Sequence, residues 1–275
     1  MLKMIKRKIA LKKKTRLYKI IESDNFPTLS SAKTEQPRFI ITLTSYGRRV
    51  AETAPYAIWS LFNQSLLADK IVLYLDNENW NENNIPTMLK KEIEHGLEIK
   101  FCKNIKSYKK LNFALEDFPS DVLITVDDDA YYSKDWFAKL IETHKQNPSK
   151  ICCHRAHIIR YGKPYNKWKW RATSKDDQSK IFPTGVGGIL YPPNSLSTEY
   201  LTEAMNLAPT ADDITYWALA KIKGSNHCLV KNGYFGVKQV DGVDEKDSLL
   251  TINKHQNAND SQINAILKRF GELYA

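Results

Sequence analysis

Three consecutive carboxylates, Asp127, Asp128 and Asp129, directly follow the β-branched run DVLITV at 121–126. Alternate side chains of an extended chain share a face, so Asp127 and Asp129 are expected together and Asp128 opposite. Like charges that close repel each other, and a cation between them relieves the repulsion. Carboxylate oxygens suit Mg2+ or Mn2+ rather than a thiol-seeking metal. Such an ion holds a diphosphate and offsets the charge that builds on a departing phosphate. The plainer reading is a solvated acidic turn.

The elements around this cluster say where it sits. Strand-length apolar runs fall at Arg38–Thr44, Lys70–Leu75, Leu97–Phe101 and Asp121–Val126, with helical spacing between them at Glu52–Gln64, Pro86–His95 and Leu111–Glu116. That alternation predicts an α/β fold with a mainly parallel sheet covered on both faces. Ligands of open α/β sheets bind beyond the carboxyl ends of the strands, which is where the aspartates fall. The second half is less regular. Helices are expected at Trp136–His144, Thr210–Lys221 and Asp260–Phe270, an extended run at Ile151–Arg160, an aromatic-bearing loop at 161–180 and a strand at Ile189–Tyr191.

Composition narrows the class. The 275 residues are 42% hydrophobic and 26% charged, which excludes a disordered or collagen-like chain. The net charge of +10 resides almost wholly in the tail, because residues 1–20 hold nine basic residues and no acid. The tail lacks interleaved aromatics apart from Tyr18, so nucleic acid is not the expected partner. Leu2, Ile5 and Ile9 share a helical face there. Such a helix rests on anionic lipid, each basic residue contributing about 1 kcal/mol near the surface; the alternative is a solvated terminus. No run reaches the length of a membrane span or of a secretory signal core. Cys102, Cys152, Cys153 and Cys228 lack CxxC spacing and read as reduced thiols, the pattern of a cytoplasmic protein. Residues 1–21 are thus a basic tail, 22–37 a polar linker, and 38–275 one domain with halves at 38–132 and 133–275.

Eight segments in order carry a resemblance: TSYGRR at 44–49, SLFNQS at 60–65, SYKKL at 107–111, VDDDAYY at 126–132, HRAH at 154–157, FPTGVGGILYPP at 182–193, ADD at 211–213 and NANDSQI at 257–263. Together they resemble the GT-A glycosyltransferases, family-2-like, that build bacterial capsule or lipopolysaccharide glycans. The resemblance implies a Rossmann-like fold, a nucleotide-diphosphate sugar donor (a UDP-sugar most often), a glycan or lipid-linked glycan acceptor, and Mn2+ or Mg2+. The thiols and the basic tail together give a cytoplasmic protein, or one peripheral on the cytoplasmic face of the inner membrane.

The resemblance also assigns roles to residues. Thr44, Ser45, Tyr46 and Arg48 would lie beside the nucleotide, and Asp76 would receive a hydrogen bond from the base, unless Asp76 only closes an Asx turn. Lys109 or Lys110, with Asn112, would border the phosphates. Asp127 and Asp128 would face the nucleotide, and Asp129 with Asp127 would hold the metal, joined by His255. Inverting transfer needs a carboxylate to take the acceptor hydroxyl's proton; similar transferases place it in an acidic pair, here Asp213 with Asp212 second. The plainer alternative is that Thr210-x-x-Asp213 caps a helix.

Acceptor-side candidates are softer. Gly185, Gly187 and Gly188 suit either the floor of a sugar site or a bend between strands. His154 or Arg155 is expected to touch phosphate or acceptor, with a buried histidine as the alternative; the His154–His157 pair lacks zinc-site spacing. Trp168 and Trp170 are the candidates for stacking on a sugar face, and Asn259-Asp260 for capping the last helix. Two other classes remain: a non-catalytic glycan- or nucleotide-binding module, and an Asp-x-Asp-x-Thr phosphatase. The second is disfavoured because Tyr131 stands at the Thr position.

Overall fold

The computed structural model describes residues 37–160, 162–240 and 258–271, together with 16, 19, 20, 23 and 26–29. His255 and most of the basic tail lie outside the described residues.

The first half alternates as its apolar runs require. Strands β1 (Phe39–Thr44), β2 (Lys70–Asp76), β3 (Leu97–Cys102) and β4 (Val122–Thr125) are all parallel. Between them lie helices α1 (Arg49–Glu52), α2 (Ala54–Phe62), α3 (Thr87–Glu94) and α4 (Lys109–Asp117). The single helix expected over Glu52–Gln64 is two, because the chain leaves helical geometry at Thr53, just before Pro55.

The second half supplies β5 (Ala130–Tyr132), α5 (Trp136–Gln146), β6 (Ile151–Cys153), β7 (Ala156–Ile158), β8 (Lys169–Trp170), β9 (Ile181–Pro183) and β10 (Ile189–Tyr191). Helices α6 (Leu201–Leu207) and α7 (Asp212–Lys223), strands β11 (His227–Leu229) and β12 (Val237–Gln239), and helix α8 (Ala258–Phe270) follow. The central sheet has the order β11-β6-β10-β4-β1-β2-β3, and only β10 runs antiparallel to its neighbours. The extended run expected over Ile151–Arg160 is divided: β6 belongs to the central sheet and β7 to a three-stranded antiparallel sheet with β8 and β9. A short β5–β12 ribbon completes the strands.

Strand alternation fills two cores. Ile40, Val72 and Leu123 face one side, under Leu111 of α4, Ala218 of α7 and Ile263 of α8. Ile41, Ile71 and Ile124 face the other, under Ile58 of α2, Leu89 of α3 and Phe137 of α5. Burial on both faces explains why β1, β2 and β4 read as continuous apolar runs. The order β3-β2-β1-β4 reverses direction between β1 and β4, so the chain splays apart at their carboxyl ends. That switch point is where an open sheet of this kind takes a ligand.

Candidate active site at the sheet switch point

Ser45 follows β1 and the three aspartates follow β4, so both sets meet at the switch point. The strand ends at Thr125 and Asp128-Asp129 form a turn, so strict alternation does not continue into the cluster. Asp127 N–H donates to the Tyr132 hydroxyl (2.9 Å), which pins the start of the turn. Asp128 points inward, accepting from Ser45 Oγ (2.5 Å) and from Arg49 Nη2 (2.5 Å). The same Nη2 lies 2.8 Å from Asp129 Oδ2. Burial raises the Asp128 carboxyl to about 7 against the opposing pull of Arg49. Asp129 is also raised, first by burial and then by the charge of Asp127.

Lys110 links this cluster to the second acidic pair. Its Nζ is 2.9 Å from Asp127 Oδ1 and 3.0 Å from Asp212 Oδ2. Burial works against the ammonium, yet Asp127, Asp212 and Asp213 hold its pKa well above the ordinary value. Asp213 does not cap α7: Ala211 is the N-cap and no side chain bonds there, while Thr210 pairs through its N–H and hydroxyl with Gln262 Oε1. Instead Asp213 Oδ1 accepts from the Gly185 N–H (3.0 Å). Its carboxyl is pushed up to about 7 by burial and by Asp212, with Lys110 opposing. A Cβ on Gly185 would stand 3.1 Å from Asp213 Oδ1, 3.2 Å from Lys110 Nζ and 3.5 Å from Asp127 Oδ1. Gly185 therefore sits among the carboxylates of both sets, and strand β10 leads away from it.

The remaining donor-side residues divide. Thr44 Oγ1 donates to Tyr74 O (2.8 Å), and Tyr46 is exposed beside the Arg49 guanidinium, its hydroxyl accepting from Nη1 (3.2 Å). Arg48 is exposed, and its neighbour Arg49 is the arginine that reaches the aspartates. Asp76 is buried and accepts from Asn79 N–H (3.0 Å) and Nδ2 (2.6 Å), three residues on. Its second oxygen lies 3.7 Å from Lys109 Nζ. Burial lowers the Lys109 ammonium, and Asp76 opposes this. Asn112 is a correction: it faces the interior, with Nδ2 on Met205 Sδ and Oδ1 accepting from the Tyr216 hydroxyl (2.7 Å).

Several acceptor-side expectations are also corrected. His154 is buried, with Nε2 2.9 Å from Trp136 O and its ring stacked on Trp136. Burial lowers it to about 4, so it stays neutral. Trp168 is 4% exposed, edge-on to Phe182, with Nε1 donating to Lys163 O (3.1 Å); it is core, not a sugar platform. Trp170 is 40% exposed and tilts against the His157 ring at 4.6 Å. Gly187 and Gly188 are packing glycines. A Cβ on Gly187 would meet Arg155 Cβ at 2.5 Å, and one on Gly188 (φ +85°) would meet the Trp136 ring at 2.2 Å. Trp136 Nε1 donates to Gly187 O (2.8 Å), closing that contact. Arg155 thus lies against Gly187, partly buried. Asp260 lies in the first turn of α8 and accepts from Tyr165 N–H (2.6 Å).

The carboxylate pair fits a divalent cation by its chemistry. Asp127 and Asp129 supply hard oxygen donors, and their mutual repulsion is what such an ion relieves. Among the described residues no group of three or more His, Cys, Asp or Glu side chains converges as a metal cage. A site completed by a ligand's own phosphates needs only one or two carboxylates.

The Glycosyl transferase family 2 pattern matches residues 40–202, from β1 past the Gly185 turn. The chain belongs to glycosyl transferase family 2. As a family member it is a glycosyltransferase, and its fold is GT-A. A solved mannosyltransferase from Pyrobaculum calidifontis, in complex with GDP-Man and Mn2+, is similar over 94% of this chain and 71% of that one (TM-score 0.55, 15% identity). S. aureus TarS in complex with UDP is similar over 67% of this chain and 55% of that one (TM-score 0.44, 13% identity). No curated protein sequence matches the transferase.

Proposed function

We propose that this transferase moves a sugar from a nucleoside-diphosphate donor, a UDP-sugar, to a hydroxyl of a glycan or lipid-linked glycan, with inversion. Asp127 and Asp129 would hold Mn2+ or Mg2+, which supplies charge to bind the diphosphate and stabilise it as it leaves. The observation that carries the reading is the hydrogen bond between Asp213 and Gly185, which fixes a carboxylate within reach of the Asp127 turn. Asp213 takes the acceptor proton as the acceptor oxygen bonds to the anomeric carbon, and the bond to the phosphate oxygen breaks with its electron pair. A carboxyl raised toward neutrality is a stronger base than an ordinary aspartate. Asp212 is held to Lys110, which favours Asp213 for the proton. Lys110 keeps the two acidic sets together, and Trp170 offers an exposed ring to the acceptor.

Support for a metal and a nucleoside diphosphate comes from the Pyrobaculum complex. Support for a bacterial surface glycan as the product comes from the order of the eight segments. Residues 1–20 would rest on anionic lipid of the inner membrane; equal vesicle co-sedimentation of full-length and truncated protein would exclude this. The donor test is a thermal-shift panel of UDP, GDP, CDP and ADP, each with and without Mn2+, on wild type and Asp129→Ala. A ligand at about 100 times its Kd stabilises by roughly 2.7 kcal/mol. The expected result is a Mn2+-dependent shift with UDP that Asp129→Ala abolishes. A shift with GDP alone would replace the donor, and none with any nucleotide would leave the binding-module reading.

A further inference from the structure

Arg49 stands among the proposed metal ligands, and its contacts are lopsided. One nitrogen, Nη2, serves two carboxylates, Asp128 Oδ1 at 2.5 Å and Asp129 Oδ2 at 2.8 Å. Nη1 reaches the Tyr46 hydroxyl at 3.2 Å, and the guanidinium carbon lies 5.1 Å from that ring's centre. Nε is buried with no hydrogen-bond partner. A guanidinium binds a carboxylate best through two parallel N–H bonds, and here a single nitrogen is shared: it donates to Asp128 and makes only an ion pair with Asp129. Asp128 is different: buried, and held a second time by Ser45. Arg49 therefore holds each carboxylate through one nitrogen, and of the two Asp128 has a second hold, from Ser45.

Resting on the reading that Asp129 is a metal ligand, we infer that Arg49 and the divalent cation compete for Asp129. The guanidinium holds Asp129 while the cation is absent, and the cation displaces it from that one carboxylate. The advantage lies with the cation, which carries twice the charge and also engages Asp127. Displacement does not eject the arginine, because Asp128 and Tyr46 still anchor it. Its released N–H and its charge then remain at the switch point, beside the donor's phosphates. Arg49 is in this sense a positioning residue that changes partner.

The test is Mn2+ titration followed by the EPR signal of free Mn2+, without nucleotide, on wild type, Arg49→Gln, Arg49→Lys and Asp129→Ala. Arg49→Gln removes the competitor and is expected to bind Mn2+ about tenfold tighter, a fold-change of the size an unscreened neighbouring charge produces. Arg49→Lys keeps the charge without the fork and is expected to fall between wild type and Arg49→Gln. Unchanged or weaker Mn2+ binding by Arg49→Gln, with a native circular dichroism spectrum, overturns the competition. If Arg49→Gln does not fold, Arg49→Lys decides: tighter than wild type supports the inference, and equal or weaker overturns it. Mn2+ bound by wild type and lost in Asp129→Ala keeps the metal reading whichever way the arginine variants fall. No Mn2+ on any folded protein overturns the metal reading and the competition with it.

Discussion

The two halves of the transferase place their functional groups by different means. In the first half, β1 and β4 are buried on both faces, and their ends deliver Ser45 and Asp127–Asp129 to one point. In the second half, two small antiparallel sheets and long loops have little ladder to hold them. There the aromatic, histidine and glycine side chains knit the fold: Trp136 on His154, Trp168 on Phe182, Gly188 against Trp136. Residue types that suggest sugar binding are mostly the packing of that half. Trp170 is exposed instead, and Gly185 and Asp213 face back toward the aspartates that follow β4.

Substitutions can break this contrast. The largest expected effect is Asp213→Asn, which should lower kcat by about 10³, within the range lost with a general base, while keeping the Mn2+–UDP thermal shift. Retained turnover would move the base elsewhere. Trp168→Ala should cost about 3–5 kcal/mol of unfolding free energy in urea, as for a buried ring. Trp170→Ala should cost under about 1 kcal/mol and raise the acceptor KM; equal losses would erase the distinction between the two tryptophans. Gly188→Ala, with a positive φ and the Trp136 ring in its path, should cost about 3 kcal/mol. Gly185→Ala should cost less stability and more turnover, since its Cβ meets the flexible ends of Asp213 and Lys110.

The smallest effect is in the pH profile. Asp213 acts ionised, and its carboxyl is raised to about 7. Below that pH kcat/KM should fall about tenfold per unit, because the base is protonated. Lys110 opposes the rise, so Lys110→Gln should move the acid limb to higher pH. A limb below pH 5 in both proteins would assign the base role to another group.

Much of the first half was legible because both-face burial writes itself as long apolar runs, and because the aspartates fall where the fourth of those runs ends. Neighbouring residues were harder to separate. Arg48 is the N-cap of α1 and Arg49 its first residue, so adjacent side chains leave in different directions, and Arg49 is the one turned onto Asp128. Lys109 and Lys110 are one step apart on α4, about 100° around the helix, and so reach Asp76 and Asp127 respectively. Ile151–Ile158 carries strand-forming residues without a visible break, yet its two ends join different sheets. The interior roles of His154 and Trp168 depend on partners far along the chain, which local spacing does not record.

Strand β10 is the one central strand that runs backwards, and Ile189 at its start is paired with Thr125 at the end of β4. A parallel strand in that position would deliver its preceding turn to the opposite edge of the sheet. Reversal puts the whole excursion from β7 to β9 upstream of the reacting centre while leaving it outside the seven-stranded ladder. For an engineer this makes the excursion separable from the ladder: exchanging residues 159–180 between relatives, with Trp168 kept for its packing on Phe182, leaves the seven-stranded sheet as it is and tests whether that loop sets the acceptor.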